Sequence, residues 1–181
     1  MGRLLEYLEN YGILLCNTNP ELPALEDIGC TWGDVTALID LQELFYCKAF
    51  KKRTTYLSRE AYHLLKKIRQ KKQLTPAAQK IYSILEDGAA AETDFLKAVS
   101  SLDAKSYREG FDFLLQNLYV TALHNGKPLN ENWSAFLYGT SEEWEKRIPA
   151  PAPIENASER LWEILSQTMT ERQFRSLTGR R

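Results

Sequence analysis

Three cysteines and two histidines are the residues best suited to nucleophilic or metal chemistry, and their spacing argues against both. Cys16, Cys30 and Cys47 lie 14 and 17 residues apart, with no C-x-x-C pair. His63 and His124 are distant from them and from each other. Zinc sites pair their ligands at two-to-five-residue spacing, so neither a metal site nor a cofactor is expected. The thiols read as small buried groups of a reducing compartment. Acids that could orient a water beside cations are Asp34 and Asp40, and the sequence does not choose between them.

Cations are the stronger signal. The chain has 181 residues, 23 Lys+Arg and 24 Asp+Glu, and a formal net charge of −1. Split by position, residues 1–47 carry −7, residues 48–72 carry +9 and residues 73–181 carry −3. Salt screens exposed charges beyond about 8–10 Å, so the middle block acts locally and suits an anionic partner. The competing expectation is that the acidic residues 1–47 fold over it. The candidate nucleic-acid contacts are Lys48, Lys51, Lys52, Arg53, Arg59, His63, Lys66 and Lys67, with Lys127 as a secondary one. His63 is placed on the solvent-facing side of a helix, where it could meet phosphate.

The elements that must position these residues follow from apolar spacing. Leu4, Leu5, Leu8 and Tyr11 predict a short helix ending near Gly12, followed by a loop over 17–30. Thr31 to Asp34 resembles a helix start, and Val35, Leu38, Ile39, Leu41, Leu44 and Phe45 extend that helix to about Phe50. A short β-prone run over 54–57 precedes Ser58. That serine caps a helix to Lys72 with Ala61, Leu64, Leu65 and Ile68 inward.

Thr75-Pro76 starts the next helix. Thr93 to Ser100 gives another, with Phe95, Leu96 and Val99 inward, and Asp103 caps a third that buries Tyr107, Phe111, Leu114, Leu115 and Leu118. Two β-prone runs, Leu118–Leu123 and Trp133–Tyr138, flank a turn-rich segment containing Asn125-Gly126. Three helices and a hairpin are the order of a winged helix-turn-helix. A short helix over 141–147, a linker with Pro149, Pro151 and Pro153, and two helices opened by Asn156-x-x-Glu159 and Thr170-x-x-Gln173 complete the chain.

The fold class expected is therefore mainly α with a small β-hairpin (α+β): a winged helix-turn-helix with flanking helices. Its parts are an N-terminal helical segment with the basic helix (1–72), a winged-helix domain (73–147) and a C-terminal helical extension (148–181). No apolar run reaches the ~20 residues that cross a bilayer. The N-terminal stretch, with Glu6 and Glu9, reads as neither secretory nor myristoylated, so a cytoplasmic protein without membrane contact is expected.

The strings LFYCKAFKKRTTYLSREAYHLL (44–65), AAQKIYSILEDGA (77–89) and YREGFDFLLQNLYVTALHNG (107–126), with their patterns AxxIYxxL and FxxxLxxLYV, resemble the AlkZ-related, YcaQ-type winged-helix proteins over about residues 31–178. The resemblance implies a DNA-facing protein linked to damage repair, since full-length members are DNA glycosylases with tandem winged helices. Those enzymes carry a Gln-apolar-Gln or Gln-apolar-Asp motif that positions water. Here the nearest string, Asp40-Leu41-Gln42, is reversed, and the catalytic role is not carried over.

On the third helix of the motif the outer face holds Lys105, Glu109, Asp112, Phe113 and Gln116, a net −1 that would be repelled by DNA. Base-sequence readout is thus not expected, and outward-facing Phe113 suggests an interaction surface for another segment or a second chain. Three functions remain open at this point. One is a DNA-binding module contacting the backbone without sequence specificity. Another is a protein-interaction or dimerisation module without DNA contact, with a homodimer or protein partner. The third is a diverged DNA glycosylase.

Overall fold

The computed structural model describes residues 2–87, 89–129 and 134–180. Among them are nine α-helices and two small antiparallel sheets, an α+β arrangement. Helix α1 (Gly2–Tyr11) leads into strand β1 (Ile13–Leu15), and after a long loop comes α2 (Trp32–Asp40). Strands β2 (Leu44–Phe50) and β3 (Arg53–Ser58) form a hairpin, and the three strands pair in the order β1-β3-β2. Helix α3 (Arg59–Ile68) follows, capped as expected by Ser58, whose hydroxyl accepts from the Ala61 N–H.

The expected helix through Phe50 is thus half wrong, and the first sheet was not foreseen. Helix α2 stops at Asp40, Gln42 takes φ 52°, and Leu44–Phe50 pairs with β3 instead. The reason is burial on both faces. Leu44 and Tyr46 enter one apolar cluster with Leu14, Tyr56 and the side chains of α1 and α2. Phe45 and Cys47 enter a second, with Ile13, Leu15 and Leu57. A strand covered on both sides reads as an unbroken apolar run, which periodicity alone cannot tell from a helix.

The central part is α4 (Pro76–Glu86), α5 (Thr93–Ser100), α6 (Ala104–Gln116) and a hairpin of β4 (Val120–Pro128) and β5 (Ser134–Thr140). Thr75 and Asp103 cap α4 and α6 through their side chains, as their positions predict. Tyr107, Phe111, Leu114, Leu115 and Leu118 are all buried. Ala91 forms an isolated antiparallel bridge to Tyr138. Helix α5 corrects the expectation: Leu96 is buried, but Phe95 and Val99 are 55% and 49% exposed. Only one residue per turn of this short helix reaches the core.

The Asn125-Gly126 pair is not the turn of the hairpin. Asn125 pairs with Phe136 inside the ladder, and β4 continues to Pro128. A Cβ at Gly126 would lie 2.1 Å from the Ala135 carbonyl oxygen, so glycine is required here for a close backbone approach across a bulge. Part of the second β-prone run, including Trp133, lies outside the described residues.

The hairpin is fastened to the first sheet by Thr121. Its buried hydroxyl accepts from the Tyr46 N–H at 3.0 Å and donates to the Tyr46 carbonyl at 2.9 Å. Helix α7 (Ser141–Lys146) buries Trp144 against Phe45 and Tyr62. Helices α8 (Ala157–Leu165) and α9 (Glu171–Thr178) join the second cluster, where Leu161, Leu165, Phe174 and Leu177 meet Ala61, Leu65 and Phe50. Thr170 and Gln173 form their capping box. Asn156 does not form one; it adopts φ 50° and caps through no side-chain bond.

Candidate nucleic-acid interface

The basic block occupies β2, the turn after it, β3 and α3. Its turn is Lys51-Lys52, between Phe50 and Arg53, which pair across it. Both lysines have positive φ, 48° and 60°. A two-residue turn with both central residues at φ > 0 is the type I′ geometry that matches strand twist, and it favours Asn-Gly. Two lysines there hold a conformation that L-residues avoid.

Most of the block's charge is engaged within the chain. Lys48 meets Asp112 of α6 at 2.6 Å, and Lys51 meets Glu21 at 2.5 Å. Arg59 pairs with Glu43 at 3.3 Å and donates to the Gln42 carbonyl at 2.8 Å. Lys66 binds Glu145, while Lys67 donates to the carbonyl of Ile154 beyond the proline linker. The acidic residues 1–47 thus neutralise two positions, through Glu21 and Glu43, and acids from α6 and α7 neutralise two more. Among the described residues Lys52, Arg53 and Lys72 have no ion pair, and Lys71 lies over the Tyr119 ring at 5.5 Å.

Arg69, a cation of the same block outside the candidate contacts, organises the region. Its Nε donates to Leu177 O (2.8 Å), and its two terminal nitrogens donate to Gln116 O (2.7 Å) and Ala49 O (2.9 Å). The first two carbonyls end α9 and α6, where a helix presents roughly half a negative charge. One guanidinium therefore closes two helix termini and ties both to β2. Burial, partly offset by the nearby Cys47 thiol, pushes its pKa down. Nothing in the sequence marks an arginine whose acceptors are all backbone carbonyls.

Above Arg69 lies a cleft of about 300 Å³ walled by Lys48, Lys51, Lys52, Lys72, Asn117 and the end of α9. No acid lines it. A second, larger groove of about 550 Å³ runs between α3 and the proline linker, past Arg59, His63 and Pro151. The placement of His63 as solvent-facing is corrected there. The ring is half-buried against Tyr62 and Trp144, at 5.1 and 6.4 Å, and its Nε2 is buried without a hydrogen-bond partner. Burial lowers its pKa, against an opposing pull from Glu145. Tyr62 next to it is buried together with Ala61, Leu64 and Leu65.

The outer face of α6 is not open along its length, because α6 packs on β2 and Asp112 and Gln116 are engaged there. Phe113 is half-buried, its ring 6.4 Å from that of Tyr119 within the same chain. Lys127 is exposed on β4, away from the cleft-lining residues.

The acids near the basic block are structural. Asp34 accepts from the N–H and hydroxyl of Thr31 in a capping box, and Asp40 accepts from the Asn125 N–H at 2.8 Å. Gln42, the end of the reversed triplet, donates to the carbonyls of Ile39, Asp40 and Leu123. None of the cysteines is bonded to another, and burial pushes the Cys47 thiol up to about 12, which removes it as a nucleophile at neutral pH. Among the described residues no group of three His, Cys, Asp or Glu gathers as metal ligands, and no helix is long and apolar enough to cross a membrane.

Neither a curated protein nor a solved structure matches the chain. A family does match, over residues 2–178, wider than the stretch on which the sequence resemblance rested: by that match the chain belongs to the AlkZ-related family.

Proposed function

We propose that the chain is a winged-helix DNA-binding module that contacts the sugar–phosphate backbone without reading base sequence. Helices α4, α5 and α6 with the β4–β5 hairpin form the winged helix in this reading, and the Ala91 bridge to Tyr138 stands where its third strand belongs. Membership of the AlkZ-related family supports a place in DNA repair among glycosylase-like proteins. The loss of the water-positioning triplet, and the engagement of Asp34, Asp40 and Gln42 in caps and loop bonds, support binding over catalysis.

The observation that carries the reading is the set of cations without an ion partner. Lys52 and Arg53 at the tight turn, and Lys71 and Lys72 after α3, lie on either side of the acid-free cleft or beside it. The third helix supplies no comparable surface, because its outer face carries Glu109 and a committed Asp112. Backbone contact through these four cations would give a log–log salt slope of about −3.6. Duplex binding measured by anisotropy tests this directly. Binding at low salt that disappears when Lys52, Arg53, Lys71 and Lys72 are changed to Glu is expected. No binding at low salt, or affinity unchanged by those reversals, overturns the reading.

A second reading, a protein-interaction module, is favoured by one feature. Phe95 and Val99 of α5 are exposed beside Ile84 and Leu137 along an apolar groove. In that reading the candidate surface is on α5 rather than at Phe113. Light scattering that finds a monomer, and a Phe95→Ser variant with unaltered association and stability, would remove it.

A further inference from the structure

The acid-free cleft differs in kind from a charged surface. Its floor is Arg69, and its wall is the strained turn at Lys51-Lys52 together with Lys48 and Lys72. Two helix C-termini point into this region and would by themselves repel an anion. The Arg69 guanidinium bonds both and cancels that field. Lys48 and Lys51 keep carboxylate partners on their outer sides, at Asp112 and Glu21, neither of which lines the cleft. Lys52 and Lys72 have no such partner among the described residues. The exposed hydroxyl of Ser176 lines the cleft too, whereas Thr178 Oγ1 donates to the Phe174 carbonyl and Asn117 Nδ2 to that of Phe113.

Strain supplies an independent argument. A type I′ turn is satisfied best by Asn-Gly, yet this chain holds Lys at both positive-φ positions. Local strain at a site is a mark of function when its residues also line a recess. Here the same two residues do both.

We propose that the cleft receives a phosphate monoester dianion, such as the terminal phosphate of a nucleic-acid strand or of a free nucleotide. Lys52 and Lys72 are its direct ligands, and Lys48 and Lys51, each already paired with a carboxylate, line the recess beside them. A monoester suits the site better than an internal phosphodiester for two reasons. It carries nearly two charges rather than one, matching the two ammonium groups, Lys52 and Lys72, that have no ion pair among the described residues. It also arrives at the end of a chain, so a recess of about 300 Å³, at the small end of ligand pockets, has room for it. As regards a strand end, the inference rests on the DNA-binding reading above and deepens it.

The test uses the full chain and three probes: a duplex with hydroxyl ends, the same duplex with phosphorylated ends, and adenosine monophosphate alone. The separating variant is Lys51→Asn/Lys52→Gly, which relieves the turn, so its Tm rises while it loses the ligand Lys52. Lys72→Gln is the second variant, outside the turn. A duplex bound about tenfold more tightly when phosphorylated, with that preference lost in both variants, supports the inference with a strand end as ligand. Binding of adenosine monophosphate, lost in both variants, without binding of either duplex also supports it, with a free nucleotide as ligand, and overturns the DNA reading. Equal binding of the two duplexes and none of adenosine monophosphate overturns the cleft proposal and leaves the DNA reading standing. No binding of any probe overturns both.

Discussion

The two hairpins of this chain reverse what their sequences suggest. The second contains Asn-Gly, the strongest short signal for a tight turn, yet Asn125 and Gly126 lie inside strand β4 and the glycine serves a backbone approach to Ala135. The first turns at Lys51-Lys52, which no turn rule nominates, with both residues at positive φ. It is locked by β1 on one side and by Thr121 of the other hairpin on its flank. The first hairpin's tip is thus set by its surroundings against the backbone preference of its residues, whereas the second is set by strand pairing. Charge follows the same division. The first tip and its neighbours hold Lys51, Lys52 and Arg53, while the second hairpin offers Lys127.

The largest expected effect comes from the anchor of the first hairpin. Arg69→Met leaves the carbonyls of Ala49, Gln116 and Leu177 without their donor, three lost bonds that together cost about 3 kcal/mol. Chemical denaturation should show that loss, and a change below about 1 kcal/mol would mean water replaces the guanidinium. In the second hairpin, Gly126→Ala forces a methyl against the Ala135 carbonyl and should destabilise by about 2 kcal/mol, despite the better strand propensity of alanine. A neutral result would return Asn-Gly to the role of a turn.

The first turn should respond with the opposite sign. Lys51→Asn/Lys52→Gly removes two unfavourable backbone conformations and should stabilise by about 1–2 kcal/mol, less the small loss of the exposed Glu21 pair. A destabilised variant would show that the lysine side chains hold the turn. The smallest effect concerns His63, whose folded pKa lies below its ordinary value of 6.5 because of burial. The folded state then binds fewer protons than the unfolded one. Its contribution is fully present above 6.5 and is lost as pH falls through the folded pKa. His63→Phe should flatten the stability profile over that acid window while leaving it unchanged above neutrality.

What the sequence makes legible is what is local. Ser58, Thr75, Asp103 and Thr170 cap their helices through side chains three residues from their partners, and each was readable from residue type and spacing. The buried stripe of α6 was readable for the same reason. Strand β2 was not, because both its faces are covered by segments remote in the chain, among them α8, α9 and the β4–β5 hairpin. The candidate site was legible only as charge. Which cations are free depends on Glu21, Glu43, Asp112 and Glu145, whose partners lie 16 to 79 residues away. The cleft depends on Arg69, whose bonds reach 20, 47 and 108 residues along the chain.

In the proposed function a polyanion meets the first hairpin and not the second. The salt dependence of duplex affinity measures it most directly, compared among the native chain, Lys52→Gln/Arg53→Gln and Lys127→Gln. Each phosphate contact removed lowers the log–log slope by about 1. The account predicts a slope shallower by about 2 for the first-hairpin variant and one nearly unchanged for Lys127→Gln. A native slope retained in the first-hairpin variant and reduced in Lys127→Gln would contradict it.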